Sequence, residues 1–214
     1  MPPVNTKAVF HLAVVAALGF VAAAPARAAD EVQAQDPHAH HHQMMADRQL
    51  QRSVLHYEVP DLRLVRDDGH NVDLRSELDD GRIVVLNFIY TTCTTICPVS
   101  SQIFSVLQEK LGADRNKVHL VSISIDPEQD TPDRLRSYAA RFHAGPGWQH
   151  YTGTVQQSIA AQVAFGAYRG DKMSHAPLTL VRGSGDTWTR FDGFATADDL
   201  LAEIRGSGNL AAAR

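Results

Sequence analysis

The sequence predicts an α/β domain with a central mixed sheet flanked by helices and an N-terminal β-hairpin. Three observations predict it. Ile83-Val84-Val85-Leu86-Asn87-Phe88-Ile89 is a β-branched apolar run of strand length, which reads as a buried central strand. Val118 to Ile125 reads as a second strand, and helical spacing follows both, the order that parallel strands joined by right-handed crossovers require. After Gly166 the pattern changes to two alternating segments around Gly183-Ser184-Gly185-Asp186 and a last helical stretch, an antiparallel hairpin followed by a helix.

Taken in order, Asp61 to Val65 and Asn71 to Leu74 alternate around the turn signal Asp67-Asp68-Gly69 and form the first hairpin. Ser76 to Asp80 is expected to make a short helical turn. Val99, Ile103, Val106 and Leu107 then recur at helical spacing up to Leu111, where Gly112 ends the helix. Pro98 fits its first turn, where a missing N–H leaves no acceptor unpaired. Thr131-Pro132 caps a helix carrying Leu135, Tyr138, Ala139 and Phe142, and Gly145-Pro146-Gly147 breaks the chain before a short segment, Trp148 to Thr152. Thr154 with Gln157 is a capping box for a helix through Phe165, and Thr196 caps the last helix to about Ile204. A βαβ half followed by a ββα half, with a cysteine pair at the first strand-helix junction, describes a thioredoxin-like fold.

Length and charge narrow the function. The chain has 214 residues, 44% of them hydrophobic, and a net charge of −4, enough for one well-buried domain and without the basic face that nucleic acid demands. Lys7, the apolar run Ala8 to Ala24 and Ala26-Arg27-Ala28 read as a secretory signal peptide over residues 1–28. The expected location is therefore the periplasm, with membrane association only if that signal stays uncleaved, and a monomeric protein. Residues 29–52 form a polar leader containing His38, His40, His41, His42, Met44 and Met45, whose imidazoles and thioethers suit an auxiliary copper site. The domain is expected over 53–206, beginning in earnest near Tyr57, with a tail over 207–214.

The only two cysteines, Cys93 and Cys97, stand four positions apart in Tyr90-Thr91-Thr92-Cys93-Thr94-Thr95-Ile96-Cys97-Pro98. As a structural disulfide the pair is badly placed: closing about 5 residues contributes roughly 2 kcal/mol, against about 4.7 for a loop of 100. At a helix N-terminus the macrodipole favours thiolate, the form that attacks disulfides and binds soft metals. One residue more than the C-x-x-C of dithiol oxidoreductases widens the bite, which suits a metal. Two thiolates need a third ligand. His56, His70, His119, His143 and His150 sit at strand or loop positions with no evident partner, whereas His175 lies in the loop entering the second hairpin, which in this architecture abuts the dithiol. Two sulfurs and one imidazole make a soft three-ligand set suited to copper.

At this point the chain resembles the Sco/SenC copper proteins. The resemblance rests on Tyr90-Thr-x-Cys-x-x-x-Cys-Pro98, on Ser124-Ile125-Asp126-Pro127-x-x-Asp130-Thr131-Pro132 and on His175, and it spans roughly Tyr57 to Ile204. It implies copper, as Cu(I) or Cu(II), held by Cys93, Cys97 and His175. The role it implies is delivery of copper to the copper-site subunit of cytochrome c oxidase or another copper-receiving protein, or maintenance of that partner's thiols. Thr94 departs from the proline many relatives carry after the first cysteine, and a cleavable signal with a His/Met leader replaces the usual tether. The competing expectation is a thiol:disulfide oxidoreductase with Cys93 as nucleophile and Cys97 as resolving thiol.

Overall fold

The structure, a computed structural model, describes residues 50–182 and 185–206. The segment expected to be a signal peptide, the expected leader up to residue 49 with all its histidines and methionines, and the expected tail from 207 lie outside the described residues.

Those residues contain eight strands in one sheet: β1 (Gln51–His56), β2 (Arg63–Arg66), β3 (Asn71–Asp73), β4 (Ile83–Ile89), β5 (Val118–Ser124), β6 (Trp148–Thr152), β7 (Leu178–Arg182) and β8 (Thr187–Asp192). The helices are α1 (Leu74–Leu78), α2 (Ile96–Leu111), α3 (Pro132–Arg141), α4 (Val155–Ala164) and α5 (Ala197–Gly206). Spatial order is β1-β8-β7-β4-β5-β6-β2-β3. β5 runs parallel to β4 and to β6, and every other pair is antiparallel. The result is the mixed, open sheet of the thioredoxin-like expectation.

Both faces of β4 are buried, which is why it reads as an unbroken apolar run. Val84, Leu86 and Phe88 face a core with Phe165 and Trp188, while Ile83 and Val85 face Phe104 and Leu107 of α2 and Leu200 and Ile204 of α5. A third, smaller cluster sits at the C-terminal end of the strand: Ile89, Tyr90, Cys93 and Cys97 against Leu135 and Tyr138 of α3.

Local signals hold where the physics is local. Thr154 accepts from Gln157 N at 3.2 Å while the Gln157 side chain returns a bond to Thr154 N at 2.7 Å, and Gly112 ends α2 at φ 53°. Three boundaries differ. α1 starts at Leu74, two residues early, because the Asp73 carboxylate caps it by accepting from Ser76 N at 2.8 Å. The segment from Trp148 is strand β6. The sheet also begins before Tyr57, with β1 paired along its whole length to β8, so the last leader positions Gln51 and Arg52 belong to it.

Candidate metal centre

β4 delivers the chain to the site, and a short turn from Tyr90 feeds α2. Thr95 stands at the cap position of α2 but its side chain makes no capping bond. The Cys93 sulfur takes that place, accepting from Cys97 N–H at 3.4 Å, with Thr95 Oγ1 at 3.7 Å. No acidic residue occupies the first turn, so the helix's positive end is left to the sulfur. Both cysteines are free thiols and buried, Cys93 6% and Cys97 1% exposed.

Their acidities are pulled apart. Burial pushes the Cys93 thiol up, but the backbone N–H groups of Cys97 and Thr95 outweigh it and bring the thiol down to about 7. Cys97 is pushed far above the ordinary thiol range, by burial first and by the neighbouring Cys93. In the reduced, metal-free protein, alkylation by iodoacetamide is therefore expected to modify Cys93 alone, with a rate that rises through about pH 7. Mass spectrometry of the labelled peptides checks it, and labelling led by Cys97 would contradict it.

His175 follows the short 3-10 turn Lys172–Ser174, which Asp171 caps by accepting from Met173 N at 2.8 Å. Its ring reaches across to β4, where Nε2 lies 3.0 Å from the Phe88 carbonyl oxygen. A carbonyl oxygen only accepts, so Nε2 carries the proton of the neutral ring and Nδ1 keeps its lone pair. Burial pushes the His175 pKa down, and the bond to Phe88 only partly offsets this, so the imidazole is neutral at neutral pH. Tyr90 stands beside both halves of the site. Its ring meets His175 edge-on at 6.4 Å, its hydroxyl lies 4.0 Å from the Met173 sulfur, and burial followed by hydrogen bonding to Cys93 pushes its pKa up to about 12.

Two carboxylates of the Asp126 to Asp130 turn hold these halves in place. Asp130, fully buried, accepts from Thr91 N at 3.2 Å, Thr91 Oγ1 at 2.6 Å and Ser124 Oγ at 2.6 Å, tying down the start of the cysteine turn. Asp126 pairs with Lys172 Nζ at 2.6 Å, tying down the histidine loop. The sequence explained this segment as a strand end and helix cap, which it also is: Thr131 caps α3. Its long-range bonds carry no spacing signal. Lys172, Met173 and the wall-like placement of Tyr90 also went unnoticed, although all three belong to segments already singled out for other residues.

The structure thus brings Cys93 and Cys97 together and sets His175 against Phe88 and the Tyr90 ring. Among the described residues, no three His, Cys, Asp or Glu side chains form a group that could hold a metal ion. His119 and His150 are buried strand residues with other contacts: His119 is bonded to Tyr151 and to the Glu77 carbonyl, and His150 stacks on Trp148 and meets Tyr138 edge-on.

Lys172 is partly solvent-exposed, so its pair with Asp126 contributes about 1 kcal/mol or less to global stability. Lys172→Ala is accordingly expected to leave the denaturation midpoint nearly unchanged. Hydrogen exchange at the Ser174 and His175 amides, which bond to Asp171 O and Lys172 O, is expected to accelerate while β4 stays protected. Equal exchange in both proteins would show that the ion pair does not hold the loop.

A thioredoxin-like sheet with a buried thiol pair of opposed acidity at a helix start, and a neutral histidine bonded to the strand that leads to it, defines a class of dithiol proteins equipped for soft-metal or thiol chemistry. Residues 55–207 match the family model SCO1/SenC, and the chain belongs to that family. The SCO1 protein homolog of Bacillus subtilis is 30% identical over 171 residues, which cover 74% of this chain and 87% of the relative. The solved structure of BsSco, a member of the Sco family of cytochrome c oxidase assembly proteins in which a disulfide switch was identified, superposes with a TM-score of 0.61 at 29% identity, covering 72% of this chain and 94% of its own. Bradyrhizobium japonicum ScoI, solved with copper bound, shares the fold at a TM-score of 0.55 and 24% identity, over 68% of this chain and 96% of its own.

Proposed function

We propose that the protein is an exported copper chaperone that binds one copper ion through Cys93, Cys97 and His175 and delivers it to a copper centre of cytochrome c oxidase. The family supports the metal and the assembly role: BsSco is a cytochrome c oxidase assembly protein and the Bradyrhizobium relative holds copper. The observation that carries the ligand set is the bond from His175 to Phe88 O, which anchors the ring at Nε2 and presents Nδ1 as the donor. The donor chemistry fits: two sulfurs and one imidazole suit copper better than a closed zinc site, which takes four.

The residues divide the work. Cys93, already close to thiolate at neutral pH, binds first. Cys97 gives up its proton as the charge of the ion beside it offsets the burial that holds the thiol protonated. His175 completes the set when its loop moves toward the sulfurs, against the Lys172–Asp126 pair. Oxidation of the pair to a disulfide would remove both thiolates at once and release the cargo.

The test is metal content. The reduced protein, isolated from copper-supplemented cells, is expected to carry one domain-bound copper, and the disulfide form and either single-cysteine variant none. Retention by the disulfide form would overturn the reading. A second reading, a thiol:disulfide oxidoreductase, is favoured by one observation, the opposed acidity of the two thiols. Turnover of a partner disulfide that survives His175→Ala would select it. Export is supported by the apolar stretch Ala8 to Ala24 and by Ala26-Arg27-Ala28; N-terminal sequencing of the cellular protein is expected to begin at Ala29, and an intact Met1 would refute cleavage.

A further inference from the structure

Every donor of the three-ligand set is shielded in the metal-free domain. Cys93 and Cys97 are buried, and the His175 ring is tied by Nε2 to Phe88 O. An ion arriving from solvent therefore needs a first contact outside that set. Met173, 76% exposed, carries the one exposed sulfur among the described residues. A lone exposed apolar side chain is ordinary; this one is set apart by what its sulfur faces. Met173 Sδ lies 4.0 Å from the Tyr90 hydroxyl, and that hydroxyl also interacts with Cys93. One oxygen atom thus links the thioether to the thiol. The hydroxyl has a single proton to share and a thiolate is the stronger acceptor, so ionisation of Cys93 draws that proton away and leaves the thioether lone pairs free. The neighbouring cation, Lys172, is held at 2.6 Å by Asp126, which offsets its repulsion of an incoming ion.

Met173 is also coupled to His175 through the backbone. Both belong to the turn that Asp171 caps: the Asp171 carboxylate accepts from Met173 N at 2.8 Å, Ser174 N donates to Asp171 O at 3.0 Å, and His175 N donates to Lys172 O at 3.2 Å. Residues bonded in this way move together, while the methionine side chain turns about three bonds of its own. An ion gripped by Met173 and Cys93 would draw the turn toward the sulfurs and bring His175 with it. Thioether and thiolate are both soft donors, a pair suited to Cu(I).

We propose that Met173 is the entry ligand for cuprous ion: its thioether and the Cys93 sulfur capture the ion at the surface and hand it inward to Cys97 and His175. The inference rests on the three-ligand reading given above. The ion keeps its oxidation state throughout. The ligand that carried it leaves as Met173 Sδ and Cys93 Sγ bind. The bond to Met173 then breaks as bonds form to Cys97 Sγ and His175 Nδ1, and each thiol that binds releases its proton to solvent. Because Met173 is absent from the final set, it speeds loading and release alike and leaves the affinity where the three ligands place it.

Cuprous ion, presented anaerobically as its acetonitrile complex to the reduced full chain in a stopped-flow spectrometer, tests this, with thiolate-to-copper charge-transfer absorption as the readout. Met173→Leu keeps the volume and apolar character of the side chain and removes the donor. It is expected to slow growth of the band about tenfold, the scale on which a lost metal-site contact acts, to the same final intensity. Competition with a cuprous chelator should show unchanged affinity. Iodoacetamide should label Cys93 as fast as in the native chain, which places the loss in metal capture and not in access to the thiol. Met173→His, which restores a copper donor at that position, is expected to recover most of the rate. Native loading rates in Met173→Leu, or no recovery with histidine, would overturn the proposal while leaving the domain site intact. So would a drop in affinity, which would make Met173 a resident ligand, or a slowing of Cys93 labelling that matches the slowed loading. If the native chain takes up no cuprous ion, the three-ligand reading falls and this inference with it.

Discussion

His175→Ala is expected to cost the reduced protein its tight copper site, weakening domain copper binding by about a hundredfold or more, about 2.8 kcal/mol at 1.4 kcal/mol per decade. The fold should survive, because the side chain's one anchoring bond is to Phe88 O and such a bond contributes about 1 kcal/mol. The loss should therefore fall on affinity, with little change in the denaturation midpoint. Copper titration against a competing chelator, run beside urea denaturation of the metal-free protein, separates the two. Wild-type affinity in the variant would remove His175 from the ligand set.

The pH dependence of stability gives an independent check on the same ring. His175 has its pKa lowered, chiefly by burial, so the unfolded chain takes up its proton first as pH falls. The native state's advantage from the neutral ring is complete above the ordinary histidine value of about 6.5 and is lost as pH drops toward the lowered native value. In the metal-free protein, the His175→Ala variant should lack that acid-side decline. An unchanged slope would show that the ring is not buried as described.

How much of this could be read from the chain depends on whether the cause is local. β4, β5 and α2 were legible because burial on both faces of a strand, or along one stripe of a helix, writes itself into consecutive residues. The capping box at Thr154 was legible for the same reason. β1 was not, because all of its residues are exposed; it is a strand only through its ladder to β8, and nothing in Gln51-Arg52-Ser53-Val54-Leu55-His56 announces that. The cysteine turn was legible directly, from the strand and helix patterns on either side of it, and the importance of the His175 loop followed from the fold once it was inferred. What remained hidden was what these residues bond to: Phe88 O for His175, Thr91 and Ser124 for Asp130, Lys172 for Asp126. Backbone carbonyls and carboxylates brought together from separate elements have no sequence spacing, so the bracing of the site comes only from tertiary structure.

Asp130→Ala should be among the most destabilising single changes in the domain, at about 2–4 kcal/mol, because it strands a buried donor on Ser124 and two half-buried donors on Thr91, where an unpaired buried donor costs about 1–3 kcal/mol. The Thr91 amide would have no acceptor, and the Thr91 and Ser124 hydroxyls would lose bonds of 2.6 Å each. Thr91 stands two residues before Cys93, so the damage should also reach the dithiol: alkylation of Cys97 in the native state, blocked in the wild type by burial, should become measurable. Asp130→Asn keeps the volume and separates charge from shape. Burial raises the Asp130 pKa, against the lowering bonds from Ser124 and Thr91, so the native state holds this proton at pH values where the unfolded chain has released it. The carboxylate's contribution to stability is then greatest below the unfolded value and declines as pH rises through the raised native one. The asparagine variant should lack that decline, so wild type and variant should diverge most in acid and converge toward neutral pH, as followed by urea midpoints across the range. A constant gap would mean that Asp130 acts through hydrogen-bond geometry alone and carries no buried charge; an absent gap, together with unaltered Cys97 labelling in the alanine variant, would remove the carboxylate from the bracing of the site.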